Sequence, residues 1–266
     1  LQYITLTNDL IFKLIFGQEE TKDILQNFVH AVLENAGNPP IKVLELKNPV
    51  NLRQTDYLKE TILDINAIDE TGRQFDVEVQ VSSDPVFPTR SLYYRVQQFT
   101  EQLKKDAKYK KLRLVVCINI LDFRLFDDLP DGHNSFMMQH TKVRDVVLTE
   151  NLSLHFIELA KPVQSTEHFQ WWIEYIRAEE GNQDMQILLS RDVIFRKAHE
   201  VFGRCTQDEA LREQALTREM FLRNKHSRLS AARREGKLEG KTKGMREAAT
   251  RLKALGVPME TIMQAT

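Results

Sequence analysis

Two stretches of the chain alternate apolar and polar residues one by one, the pattern of strands with one buried and one open face. In residues 62–68, Leu63, Ile65 and Ala67 share one side, and Asp64 and Asn66 the other. In residues 74–81, Phe75, Val77, Val79 and Val81 share one side, and Gln74, Asp76, Glu78 and Gln80 the other. Between them lies Asp69-Glu70-Thr71-Gly72-Arg73, a turn signal. A three-residue loop with Gly72 left-handed pairs Asp69 with Arg73. Asn66 then faces Asp76, Asp64 faces Glu78, and Ile62 faces Gln80. A two-residue loop would send Asp64 and Glu78 to opposite faces. Two carboxylates across a strand pair repel each other. A divalent cation between them would turn that repulsion into a binding site; the plain alternative is a solvated hairpin face.

Around this hairpin the hydrophobic pattern predicts further elements. Asn8 caps a short helix that begins at Asp9, carries Phe12 and Phe16 at i,i+4 spacing, and ends at Gly17. Asp9 and Lys13 project from one side of it. A second helix spans about residues 21–34, with Ile24, Leu25, Phe28, Val29, Val32 and Leu33 as its apolar stripe. Residues 41–46 read as a short strand. A helix over about 89–106 aligns Arg90, Tyr94, Gln97 and Glu101 on one face. Residues 114–121 are apolar on both faces, as in a buried central strand. Residues 136–143 and 154–159 are further strand candidates. From Glu167 onward the chain reads as helical, with Trp171 and Trp172 packing the first of these helices onto the body. Three segments follow: a core over residues 1–165, a helical extension over 166–234, and a tail over 235–266 with Glu-Gly-Lys repeats. In that tail a short helix over 245–255 is turned by Gly256-Val257-Pro258 into another.

Charge divides the chain unevenly. Residues 1–190 hold 20 Lys and Arg against 28 Asp and Glu, whereas residues 191–253 hold 17 against 9. A basic final third on an acidic body suits nucleic acid or an acidic partner. A cluster of Lys104, Lys105, Lys108, Lys110 and Lys111 could track a phosphate backbone, or form a solvated connection. The two cysteines, Cys117 and Cys205, suit free thiols in a reducing cytoplasm. No apolar run is long enough for a membrane span, and no secretory pattern opens the chain. Gly-rich phosphate loops, His-Glu-x-x-His, Cys-x-x-Cys and Gly-x-Ser-x-Gly are all absent. The polar hairpin is the one concentrated constellation.

Asn8-Asp9-x-x-Phe12-Lys13-x-x-Phe16-Gly17, Lys59-x4-Asp64-Ile65, Phe75-x-Val77-Glu78-Val79-Gln80, Arg90 ahead of Tyr93-Tyr94, and the terminal Glu-Gly-Lys repeats occur in that order. In these motifs and their spacing, essentially the whole chain resembles the Rpn family of recombination-promoting nucleases, transposases of the PD-(D/E)XK superfamily. The resemblance implies an α/β restriction-endonuclease-like core: a mixed β-sheet flanked by helices in the order α-β-β-β-α-β, with a helical C-terminal extension. It implies a metal-dependent DNA endonuclease tied to recombination, mobile elements or phage defence. A catalytically weak DNA-binding or regulatory relative is the alternative.

On that resemblance Asp64 matches the superfamily's Asp, and Glu78 its second acid. Together with Asp9 they would hold Mg²⁺, or another divalent cation such as Mn²⁺ or Ca²⁺. Gln80 falls where most of the superfamily carries Lys, and Glu-x-Gln is frequent in this family. The assisting cation is then Lys59, which sits at an odd strand offset from Asp64, or Lys13. Arg90 would contact phosphate, or serve as an ordinary helix-start residue near Asp84. The tail would serve self-association or contact DNA, or act as a linker.

Overall fold

The computed structural model describes residues 4–50, 64–103, 108–143, 145–178 and 183–265. The chain divides into a body, Leu1–Glu219, and a second unit, Met220–Thr266. Three sequence expectations lie outside the described residues: the pairing of Ile62 with Gln80, Lys59, and Lys104 with Lys105.

The body opens with α1 (Asp9–Phe16), where the Asn8 carboxamide oxygen accepts the Ile11 N–H at 3.2 Å. That capping satisfies one of the donors a helix start leaves open. After α2 (Lys22–Asn35) come β1 (Leu44–Leu46), β2 (Ile65–Asp69) and β3 (Gln74–Gln80). Helix α3 (Phe87–Glu101) starts two residues earlier than the pattern predicts, with Pro88 in its first turn. It leads to β4 (Val115–Leu121), β5 (His133–Gln139) and β6 (Val147–Glu158). The six strands form one sheet in the order β1-β2-β3-β4-β6-β5. β3, β4 and β6 run parallel, while β1, β2 and β5 join antiparallel. This is the mixed sheet flanked by helices that the sequence implies. Strand β6 begins well before the expected 154, because Val147 to Asn151 is exposed and polar enough to conceal its strand character.

The hairpin register follows the three-residue loop. Ile65 pairs with Val77, Asn66 with Asp76, and Ala67 with Phe75. Gly72 has φ +86°, which an L side chain adopts only with strain. Its N–H donates to the Asp69 carbonyl at 3.0 Å, and the Asp69 N–H donates to the Arg73 carbonyl at 3.0 Å. The Asp69 carboxylate locks the turn further, accepting from the N–H groups of Thr71 and Arg73.

Hydrophobic burial then sorts the sheet's two faces. Phe75, Val77, Val79, Val116, Ile118 and Ile120 join α1 and α2 in the main core. The next helices, α4 (Glu167–Arg177), α5 (Gln183–Arg191) and α6 (Val193–Gln207), belong to that same core through Phe169, Trp172, Leu188 and Phe195. Trp172 is fully buried against Phe16, Phe28 and Phe195, and its ring N–H donates to Asn27 at 2.8 Å. These three helices, which lie within the helical extension expected over 166–234, pack into the same core as the sheet. The sheet's other face is covered by α3 over a small cluster of Phe87, Leu121 and Phe156.

The final helices are α7 (Glu209–Ala254) and α8 (Met259–Ala265). α7 runs without interruption through Gly236, Gly240 and Gly244, where a break and a new helix at 245 were expected. Each glycine weakens a helix by about 1 kcal/mol. Here each is flanked by good helix formers, and no proline interrupts the run. Gly256, at φ +78°, ends it. No helix among the described residues is long and apolar enough to cross a membrane.

Candidate active site

Continuing the β2–β3 register by one residue places Asp64, just ahead of β2, opposite Glu78. The polar face of β3 lies under α3, so Asp64, Asp76 and Glu78 gather between sheet and helix. Water cannot easily solvate three carboxylates there. Burial and the negative charges of Asp64 and Asp76 push Glu78 up to about 8. Burial likewise raises Asp64, offset first by the Arg95 guanidinium and then by Lys13 and Arg90. Asp76 is raised to about 6 by burial, against the pull of Arg95.

Each acid is held differently. The main-chain carbonyl of Asp64 accepts from Lys13 Nζ at 2.6 Å and from Asn48 Nδ2 at 3.1 Å. Its Oδ2 lies 3.9 Å from Arg95 Nη2, and its buried Oδ1 has no hydrogen-bond partner among the described residues. Asp76 Oδ2 pairs with Arg95 Nη1 at 2.6 Å, and these side chains are 1% and 6% exposed. The Cys117 thiol also approaches that oxygen, at 3.9 Å. Arg95 Nη1 donates to Gln98, whose amide donates to Asn66 at 3.4 Å. Asp64, Asn66, Asp76, Arg95 and Gln98 help line a cavity of about 230 Å³.

The remaining expected residues fall into three groups. Lys13 reaches the acids from α1, and burial lowers its pKa while Asp64 and Asp76 raise it. Gln80 and Arg90 stand together at the end of β3. Arg90 donates to Gln80 Oε1 at 3.5 Å and pairs with Asp84 at 3.0 Å, while Gln80 Nε2 donates to the Ser82 carbonyl at 3.1 Å. Arg90 is therefore tied to Asp84 at the helix start, beside the acids. Asp9, expected as a ligand, is instead gripped by Arg218, with Oδ1 2.7 Å from Nε and Oδ2 2.7 Å from Nη2. Its oxygens are committed to a guanidinium brought in by α7, so the structure does not add Asp9 to the acids. Lys108, Lys110 and Lys111 are exposed around a short 3-10 turn, Tyr109–Lys111.

Arg95 and the depth of Asp76 were not evident from the sequence. Ser91, Arg95 and Gln98 form a polar stripe at helical spacing, which ordinarily marks the solvent side. In α3 this stripe faces inward because the strand face it covers is itself polar. Leu92, Tyr93 and Val96 point outward, at 41%, 66% and 42% exposure. The alternation of β3 already put Asp76 between Gln74 and Glu78, so its face was legible and its buried partner was not.

The donor set suits a hard divalent cation. Asp64 presents an oxygen with no partner among the described residues, and burial together with Asp64 and Asp76 holds Glu78 at about 8 against the opposing pull of Arg90 and Arg95. No group of three or more His, Cys, Asp or Glu side chains among the described residues could hold a metal ion. Mg²⁺ commonly takes only one or two carboxylates and completes its shell with water and substrate phosphate. Comparison with curated proteins and with solved structures finds no match. Over residues 6–232, however, the sequence matches the family model described as PD-(D/E)XK nuclease family transposase, in agreement with the mixed sheet and its flanking helices, and the chain belongs to that family.

Proposed function

We propose that the chain is a metal-dependent DNA endonuclease that hydrolyses phosphodiester bonds. Asp64 and Glu78 would hold Mg²⁺ or a related divalent cation. The observation that carries this reading is the pairing of two poorly solvated carboxylates across a hairpin, with Glu78 raised to about 8. When bound, the ion would polarise the phosphate and lower the pKa of an attacking water. Glu78 must lose its proton to become a ligand, so ion binding would release a proton. Lys13 braces the Asp64 backbone and would place positive charge near the transition state. Lys59 remains the competing candidate for that role. The Gln80 amide, steadied by Arg90 and the Ser82 carbonyl, would orient water or a ligand.

Arg90 and the exposed Lys108, Lys110 and Lys111 would contact phosphates, together with Lys104 and Lys105. Such contacts give salt-sensitive DNA binding. Residues 235–266 would serve self-association. A cytoplasmic role in recombination, mobile-element movement or phage defence fits the family. One observation favours a weaker, DNA-binding relative: Gln80 brings no positive charge to the position where most of the superfamily has a lysine. Plasmid nicking under Mg²⁺, with EDTA controls, separates the two readings. DNA binding without cleavage under any divalent metal would favour the second. Salt-sensitive binding that survives deletion of residues 235–266 would place the main DNA contact on the body.

A further inference from the structure

Resting on this metal-site reading, we propose that Arg95 is a resident cation of the site. Its guanidinium takes the place of a second divalent ion and leaves room for one ion, between Asp64 and Glu78. In two-metal phosphodiester sites the ions sit about 3.5–4 Å apart and together clamp the reacting oxygens. Here Asp64 and Asp76 share a guanidinium: Nη1 is 2.6 Å from Asp76 Oδ2, and Nη2 is 3.9 Å from Asp64 Oδ2. Asp64 is the acid common to both positions. Its Oδ2 side faces Arg95, while Oδ1, which has no partner among the described residues, is left for the ion.

The neighbouring cations are engaged elsewhere. Lys13 bonds the Asp64 carbonyl, and Arg90 pairs with Asp84. Arg95 is the guanidinium that contacts Asp76, a residue with no exposed surface. Arginine is suited to this place because its planar fork of donors can address two carboxylates at once. The positive charge that Gln80 does not bring from the strand thus enters from helix α3. Arg95 acts through Asp64 and is a positioning residue. Its buried partnership engages Asp76 through Oδ2 and neutralises that carboxylate's charge, although Asp76 Oδ1, like Asp64 Oδ1, has no hydrogen-bond partner among the described residues.

Titration calorimetry with Mn²⁺, in the absence of DNA, tests this on the full chain. The set is wild type, Arg95→Lys, Arg95→Gln and the double variant Asp76→Asn/Arg95→Gln, each checked for folding by circular dichroism. Wild type and Arg95→Lys should take one ion. Arg95→Gln, with Asp76 released, should take two. The double variant should return to one, because both buried charges leave together. Two ions on wild type overturn the proposal, as does an Arg95→Gln protein that takes one ion at whatever affinity. Should Arg95→Gln fail to fold, the double variant decides: loss of its ion would mean that the pair helps hold the first ion, and would overturn the proposal. A wild type that binds no Mn²⁺ overturns the metal-site reading itself, a failure distinct from that of Arg95 alone.

Discussion

Removing one acid from the site should make the metal-free protein more stable. Glu78 sits at about 8 in the folded chain, raised by burial and by Asp64 and Asp76. In the unfolded chain a glutamate titrates near its ordinary value, about 4.3. A carboxyl whose folded pKa is raised contributes stability that is fully present below the unfolded value and is lost as pH rises through the folded one. Between about pH 4.5 and 8 the unfolded chain therefore gains on the folded one. By pH 7 the interval corresponds to about 3 kcal/mol. Water reaching this partly exposed side chain brings the expected figure to about 1–2 kcal/mol. Glu78→Gln keeps the shape and removes the titration. In EDTA at pH 8 its thermal midpoint should lie above wild type by about 2–6 °C, with the gap closing as pH falls toward 5. Adding Mg²⁺ should raise wild type and leave Glu78→Gln nearly unmoved, since a ligand stabilises only the state that binds it. Melts followed by circular dichroism across this pH range give the answer. A Glu78→Gln protein no more stable than wild type in EDTA at pH 8 would refute the reasoning.

The other predictions concern other parts of the body. Burial lowers His133 to about 4 and His155 to about 3, so both are neutral where they meet at 3.1 Å. The unfolded chain binds protons that these histidines refuse, so stability should fall as pH drops from about 6.5 toward 4. Acid melts of Glu78→Gln with and without His155→Gln should differ by that fall, since Asp64 and Asp76, whose raised pKa values act in the opposite sense, are common to both. Gly72→Ala puts a Cβ at φ +86°, 3.2 Å from the Arg113 side chain, and should lower unfolding free energy by about 1–2 kcal/mol in urea titrations. Asp9→Asn should lower the melting temperature, because it removes the negative charge from the buried pair with Arg218. Its Mn²⁺ affinity should stay within about twofold of wild type in calorimetry, since a ligand's loss would cost far more.

An element was legible in the sequence where local pattern and tertiary burial agreed. The β2–β3 hairpin was legible because strict alternation and a single well-placed glycine leave one register in which the apolar face stays buried. The capped first helix and Trp172 were legible for similar reasons. Helix α3 was not: its inward side is polar and its outward side carries Leu92, Tyr93 and Val96, so its periodicity pointed the wrong way. Asp9 matched a motif, but its partner Arg218 lies 209 residues away, and no local spacing reports such a pairing. The Glu-Gly-Lys repeats look like punctuation in sequence, yet isolated glycines among strong helix formers did not stop α7.

The central claim is that Asp64 and Glu78 form the metal site of a nuclease. Plasmid nicking by wild type and Asp64→Ala, each with Mg²⁺ and with EDTA, tests it most directly. Losing a metal ligand should reduce cleavage by at least about a hundredfold, the upper range seen when residues that only support ligands are removed. The account predicts nicking by wild type in Mg²⁺, none in EDTA, and almost none by Asp64→Ala. Cleavage that survives Asp64→Ala would contradict it.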